Sequence, residues 1–134
     1  MSTTFDIRNQ GFDHVEFSVE DMAKHEAMYR RMGFEKIGER HLPARGTKSV
    51  VWAQGFVRIM LTQTDGSSAS AQDPSIQFLK AHGEGVCLLA VDVADARKAF
   101  EETVSRGARP AMEPVTYETA EGRVTRAEIF TPED

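Results

Sequence analysis

One cysteine in 134 residues leaves nothing for an internal disulfide or for a cysteine-built zinc site. Long apolar runs are also missing, and none approaches the roughly 18 residues that a membrane-crossing helix needs. The opening MSTTFDIRNQ lacks the apolar core of a secretory signal, so the expectation is a reducing cytoplasm. A surplus of basic residues is absent too: 16 Lys and Arg stand against 21 Asp and Glu, a net charge of −5. A nucleic-acid groove or an anionic membrane surface needs concentrated positive charge, so neither is an expected partner. With 40% hydrophobic residues the chain can still bury a real core, on the scale of one compact domain. Cys87 lies in the apolar run GVCLLAVDV, where it reads as a buried, inert thiol.

The stretch GFDHVEFSVED alternates strictly, with Val15, Phe17 and Val19 set against His14, Glu16, Ser18 and Glu20. A period of two predicts a half-buried strand with two chemically different faces. Asp21 then fits a helix N-cap, and MAKHEAMYRRMG carries Ala23, Ala27, Met28 and Met32 at helical spacings before Gly33. FEKIGER, KSVVWAQ and FVRIMLTQ read as three more strands, the last two joined at Gly55 as a hairpin. Residues Thr64 to Ser75 are small, polar and turn-rich, which predicts a mobile surface connection before the short helix IQFLKAH. The strand VCLLAVDV and the helix ADARKAFEETVSRG follow, the latter with Ala96, Ala99, Phe100 and Val104 on one face.

A shift of 74 residues superposes Val19 on Val93, Asp21 on Asp95 and Gly33 on Gly107. Strand, capping aspartate, helix and terminating glycine thus recur in one register, the mark of an internal duplication. The expected fold is α+β: two βαβββ modules forming a cupped mixed sheet with helices outside, in a single domain over 1–134. Module one covers about 11–63, a linker and short helix 64–85, and module two about 86–134. The cup is the natural place for a ligand. The same shift maps FVRIMLTQ onto positions 130–137, whereas the sequence stops at Asp134. Module two is therefore expected to lack its last strand, as in a partial chain, leaving an edge open to strand exchange or dimerisation.

GFDHVEFSVED, MYRRMGFEKIGER, VVWAQGFVRIMLTQ and DPSIQFLKAHGEGVCLLAVDVADARKAFEETVSRGARP together resemble the vicinal oxygen chelate superfamily of glyoxalases, bleomycin-resistance proteins and dioxygenases. Within it they look like the N-terminal domain of bacterial 4-hydroxyphenylpyruvate dioxygenases, a likeness over nearly the whole chain. The MGF segment, the strand ending in QG and the HG-x-GV-C entry to the second module carry it jointly. The resemblance implies a parent enzyme that converts 4-hydroxyphenylpyruvate and O2 to homogentisate and CO2 in tyrosine catabolism. It implies an Fe(II) site of two histidines and a carboxylate in a C-terminal domain beyond this chain. It also implies that the N-terminal domain holds no iron and contributes scaffold and subunit contacts.

The residues support that division independently. A metal site in such a cup needs ligands from the first and last strands of each module. His14 is well placed, with Glu16 two residues on along the same face. FVRIMLTQ, however, has no Asp, Glu or His, Gln63 being at best a weak neutral ligand, and the shift puts Leu88 where module one has His14. One imidazole and one carboxylate make neither a four-ligand zinc site nor a facial triad for iron. His14 is accordingly read as a partly buried, hydrogen-bonded residue, and no catalytic, cofactor-binding or metal-binding residue is assigned to this chain. His25 is placed on the solvated face of the first helix, His41 in the loop RHLPARG, and His82 at a helix C-terminus. Arg58 suits a ligand carboxylate, but alternation with Val57, Ile59 and Leu61 turns it to solvent. Trp52 and Phe56 are expected in the core. EGRVTRAE reads as a solvated strand whose inward residue is Val124.

Two functions follow. The first is a non-catalytic N-terminal domain that shapes a two-domain dioxygenase, with a homo-oligomer and the C-terminal catalytic domain as partners. The second is a stand-alone glyoxalase- or bleomycin-resistance-like protein that binds or converts a small ligand in a dimer cup. The lack of acidic residues in FVRIMLTQ weakens the enzymatic version of the second.

Overall fold

The computed structural model describes residues 11–132, so the readings made of MSTTFDIRNQ and of the final residues Glu133 and Asp134 lie outside it. The described chain is α+β and falls into two compact units, one spanning Phe12–Val91 and the other built on residues 92–132.

The first unit holds β1 (Phe12–Ser18), α1 (Met22–Arg31), β2 (Glu35–Leu42), β3 (Thr47–Gln54) and β4 (Val57–Thr64). A short 3-10 helix (Ser68–Gln72), α2 (Pro74–His82) and β5 (Gly85–Val91) complete it. Its five strands lie in the order β2-β3-β4-β1-β5, with β1 and β4 parallel and the other pairs antiparallel. Gln54 pairs with Val57 around Gly55 and Phe56, so β3 and β4 form the predicted tight hairpin. Phe56 sits at its tip and is 99% exposed, contrary to the expectation that it packs inside. A two-residue turn leaves its side chains no neighbour to lie on.

The odd-numbered face of β1 builds the core. Val19, Tyr29, Val50, Trp52 and Leu61 are buried together, with Phe17, Met22, Phe34 and Ile59 packed against them. Each large aliphatic or aromatic side chain buried there is worth roughly 1.5–3 kcal/mol of transfer free energy. Helix α1 presents Met22 and Tyr29 to this core, and Tyr29 meets Phe34 edge-on at 5.2 Å. The face expected from sequence, Ala23, Ala27, Met28 and Met32, points outward instead. Tyr29 offers more apolar surface to the sheet than two alanines, and that area sets the rotation of the helix.

The second unit contains α3 (Ala96–Ser105) against the two-stranded sheet of β6 (Pro110–Thr119) and β7 (Gly122–Ile129). Ala99 and Phe100 are its buried residues, on the face the sequence predicted. Val124 is 61% exposed rather than inward; the half-buried part of β7 is Thr125 to Glu128, farther from the hairpin turn.

The 74-residue repeat is reproduced bond for bond in the helices. Asp21 and Asp95 both lie in extended backbone and accept from the third helical amide, of Lys24 and of Lys98. The amide of Met32 donates to the carbonyls of Met28 and Tyr29, as that of Arg106 does to Glu102 and Thr103. Phe34 returns to Tyr29 and Ala108 to Thr103. The same cap, helix length and exit thus occur twice.

Candidate functional site

The even-numbered face of β1 carries His14 and Glu16, the residues of this strand with ligand-binding chemistry. His14 is half-buried there, and its Nδ1 donates to Asp13 Oδ2 at 2.7 Å, as expected of a satisfied histidine. Asp13 Oδ1 lies 3.4 Å from Arg58 Nη1, so one carboxylate serves both residues. Arg58 is exposed, in keeping with strand alternation, and is held by this weak ion pair at the end of β4.

Glu16 is 8% exposed and is engaged by a chain of hydroxyls: Thr62 Oγ1 donates to Glu16 Oε2 at 2.6 Å, and Ser49 Oγ lies 2.8 Å from Thr62 Oγ1. A carboxylate removed from water requires such donors. Ser49 and Thr62 were missed in the sequence reading, although the hairpin register about Gly55 and Phe56 pairs them directly. Next to this chain Cys87 Sγ donates to the Glu16 carbonyl at 3.6 Å. Burial, reinforced by the charge of Glu16, pushes the Cys87 thiol up to about 12. The reading of an inert thiol stands, although Cys87 is half-buried rather than enclosed. Raising the value from 9.0 to about 12 makes the reactive thiolate roughly a thousand-fold scarcer. Alkylation of native protein by iodoacetamide near neutral pH is therefore expected to be slower than in urea by at least a hundred-fold. Equal rates in the two states would show that the thiol is free.

The other end of the face is covered by the chain itself. Ser18 Oγ donates to the Ser75 carbonyl at 2.7 Å, and Thr64 Oγ1 to Ser70 Oγ at 2.8 Å. Asp73, buried, accepts from the Ser75 amide and hydroxyl with Oδ1 and from Arg45 Nε with Oδ2, the last at 2.6 Å. The stretch expected to be a mobile surface connection is thus a 3-10 helix and an N-cap seated on the sheet. Its polar residues are buried because they satisfy one another.

The β4 position beside Glu16 is Met60, and the β5 positions beside Glu16 and His14 are Leu88 and Ala90. Among the described residues no three His, Cys, Asp or Glu side chains gather where an ion could sit. The other histidines lie elsewhere. His25, half-buried rather than solvated, donates through Nε2 to Glu84, which also accepts the Glu20 amide; these two donors hold the Glu84 carboxyl below its usual range. His41 belongs to β2, not to a loop, because the strand continues to Leu42 and the turn needs only Pro43 to Gly46. His82 ends α2 against the Phe78 ring, 4.9 Å away, in the helix-terminal position expected.

A parallel β1–β4 pair framing a βαβββ unit, followed by a second copy of the strand, cap and helix, defines the vicinal oxygen chelate fold. Solved structures agree on that fold. A triple mutant of 4-hydroxymandelate synthase from Streptomyces coelicolor superposes with a TM-score of 0.77. It is 22% identical, over 90% of this chain and 35% of the other. Methylmalonyl-CoA epimerase from Mycobacterium tuberculosis superposes with a TM-score of 0.69 at 21% identity, over 90% of this chain and 79% of its own. At these identities the likeness establishes architecture alone. The family model described as hydroxyphenylpyruvate dioxygenase, N-terminal, matches residues 5–125, and the chain belongs to that family. Among curated relatives, 4-hydroxyphenylpyruvate dioxygenase of Yarrowia lipolytica is 29% identical over 96% of this chain and 35% of its own length. That of Aspergillus fumigatus is 32% identical over 91% and 34%. The chain spans about a third of the length of the relatives it matches.

Proposed function

We propose that this chain is the iron-free N-terminal domain of a 4-hydroxyphenylpyruvate dioxygenase-like enzyme, with a structural and subunit-contact role, working in the cytoplasm in tyrosine catabolism. The observation that carries the reading is the family match over residues 5–125 in relatives about three times as long. The chemistry, 4-hydroxyphenylpyruvate and O2 to homogentisate and CO2 at Fe(II), then belongs to a C-terminal domain. The donor set on β1, β4 and β5 supports this division, since Met60, Leu88 and Ala90 flank His14 and Glu16 where further ligands would be needed. So does the seating of the 3-10 helix and α2 on the same face, which fills space a substrate would use.

The test compares this chain with a version extended through the downstream coding sequence. Homogentisate formation from 4-hydroxyphenylpyruvate and bound iron are expected only in the extended protein. Turnover by this chain alone, or stoichiometric iron that is lost in His14→Ala, would overturn the reading.

A further inference from the structure

The stretch from Asp65 to Glu84 contains three acidic residues, Asp65 and Glu84 at its ends and Asp73 in the middle. Each is fastened to a basic side chain outside the stretch. His41 Nε2 of β2 donates to Asp65 Oδ2 at 2.8 Å, Arg45 Nε of the β2–β3 turn to Asp73 Oδ2 at 2.6 Å, and His25 Nε2 of α1 to Glu84 Oε2 at 2.8 Å. Between these points the hold on the sheet is again polar, through Ser18 to the Ser75 carbonyl and Thr64 to Ser70. Apolar anchorage is thin. Ile76 is the buried apolar side chain of the stretch, with Phe78 and Leu79 half-buried beside it, whereas Val19, Tyr29, Val50, Trp52 and Leu61 form a buried cluster in the core. Just inside the two end fasteners stand Gly66 (φ +87°) and Gly83 (φ +82°), each with nothing within 4 Å of where a Cβ would lie. Glycine turns freely in that region of backbone space, and both have room to do so.

We propose that residues 65–84 form a strap that opens as one unit, hinged at Gly66 and Gly83, and uncovers the Ser18–Thr62 end of the Glu16 face. Hydrogen bonds to carboxylates are exchanged for bonds to water at a small net cost, while buried apolar area has no such substitute. A segment held mainly by the former opens well below the free energy of global unfolding. Once off the sheet, α2 has only nine residues and does not keep its own bonds. Opening gives solvent access to the Ser18 and Thr62 hydroxyls, which the closed strap keeps buried. This device is separate from any catalytic step and is read in the chain by itself.

Native-state hydrogen exchange across a urea series tests the strap. The amides of Ile76, Gln77 and Gly83, bonded to the Asp73 and Leu79 carbonyls, are expected to share one opening. Their protection should lie roughly a hundred-fold or more below that of the β3–β4 ladder and depend less on urea. His41→Ala and His25→Ala each remove one hydrogen bond, at opposite ends, and each is expected to lower the protection of all three amides by about five-fold. Ile59→Ala, in a side chain packed against the core, is expected to lower the protection of the ladder and leave the strap unchanged. Strap amides as protected as the ladder would overturn the proposal, since only global unfolding would then expose them. So would a histidine variant that loosens only its own end, or an Ile59→Ala variant that loosens strap and ladder alike.

Discussion

Gly46→Ala is expected to destabilise the protein by about 3 kcal/mol, lowering its unfolding temperature by about 10 °C. Gly46 has φ +67°, in the left-handed region, and sits buried in the turn between β2 and β3. A Cβ there would stand 2.3 Å from the Ser70 amide nitrogen and 2.8 Å from Ser70 Cα. Those are backbone atoms of the 3-10 helix, which cannot rotate away as a side-chain tip can. The left-handed conformation costs an alanine roughly 1–2 kcal/mol. Overpacking adds roughly 1–3 kcal/mol. Gly66→Ala is the control, since Gly66 has φ +87° but nothing within 4 Å of the added carbon. It should show the conformational cost alone. Urea unfolding of the two variants separates the effects, and equal losses would mean that the turn and the 3-10 helix are not packed as described.

Trp52 carries the second large effect. It is 1% exposed at the centre of the core, with the Arg30 guanidinium 5.2 Å from its ring. Trp52→Ala is expected to cost about 3–5 kcal/mol, the range for emptying a large aromatic site. Trp52→Phe should be far milder, within about 1.5 kcal/mol of the parent. The reason is specific: the indole Nε1–H is buried and has no hydrogen-bond partner among the described residues. A stranded donor carries a desolvation penalty of roughly 1–3 kcal/mol, which phenylalanine does not incur and which offsets the lost volume. Chemical denaturation of both variants decides the matter. If phenylalanine is as damaging as alanine, the N–H has an acceptor that the packing described here does not supply.

Where the sequence predicted well, it did so because local and long-range demands agree. Asp95 and Gly107 mark the ends of α3 in the same way that Asp21 and Gly33 mark α1, and the bonds at both exits match residue for residue. The hairpin at Gly55 follows from its turn and from two flanking runs that alternate. Misreadings cluster where burial is governed by partners distant in sequence. Residues 64–75 look solvent-loving by composition, yet Ser70, Asp73 and Ser75 are buried, since Thr64, Arg45 and Ser18 supply their complements. The rotation of α1 is set by where Tyr29 meets Trp52 and Leu61, and apolar spacing within the helix carries no such information. His41 reads as part of the loop RHLPARG, whereas the ladder to Lys48 holds it in the strand. For the candidate site, the face that His14 shares with Glu16 was legible from alternation; the Glu16–Thr62–Ser49 chain needed the register.

The arrangement of β1 beside β4 also bears on the order in which the fold forms. Strands β2, β3 and β4 are neighbours in sequence and close through short turns, so their ladders form with little loss of chain entropy. The parallel pairing of Val15 with Ile59 must instead enclose all of α1, β2 and β3 before it gains anything. Contacts that distant are the slow ones. The strand that carries His14 and Glu16 is therefore expected to dock late, onto an assembled meander, with its hydroxyl partners Ser49 and Thr62 in register before the carboxylate reaches them.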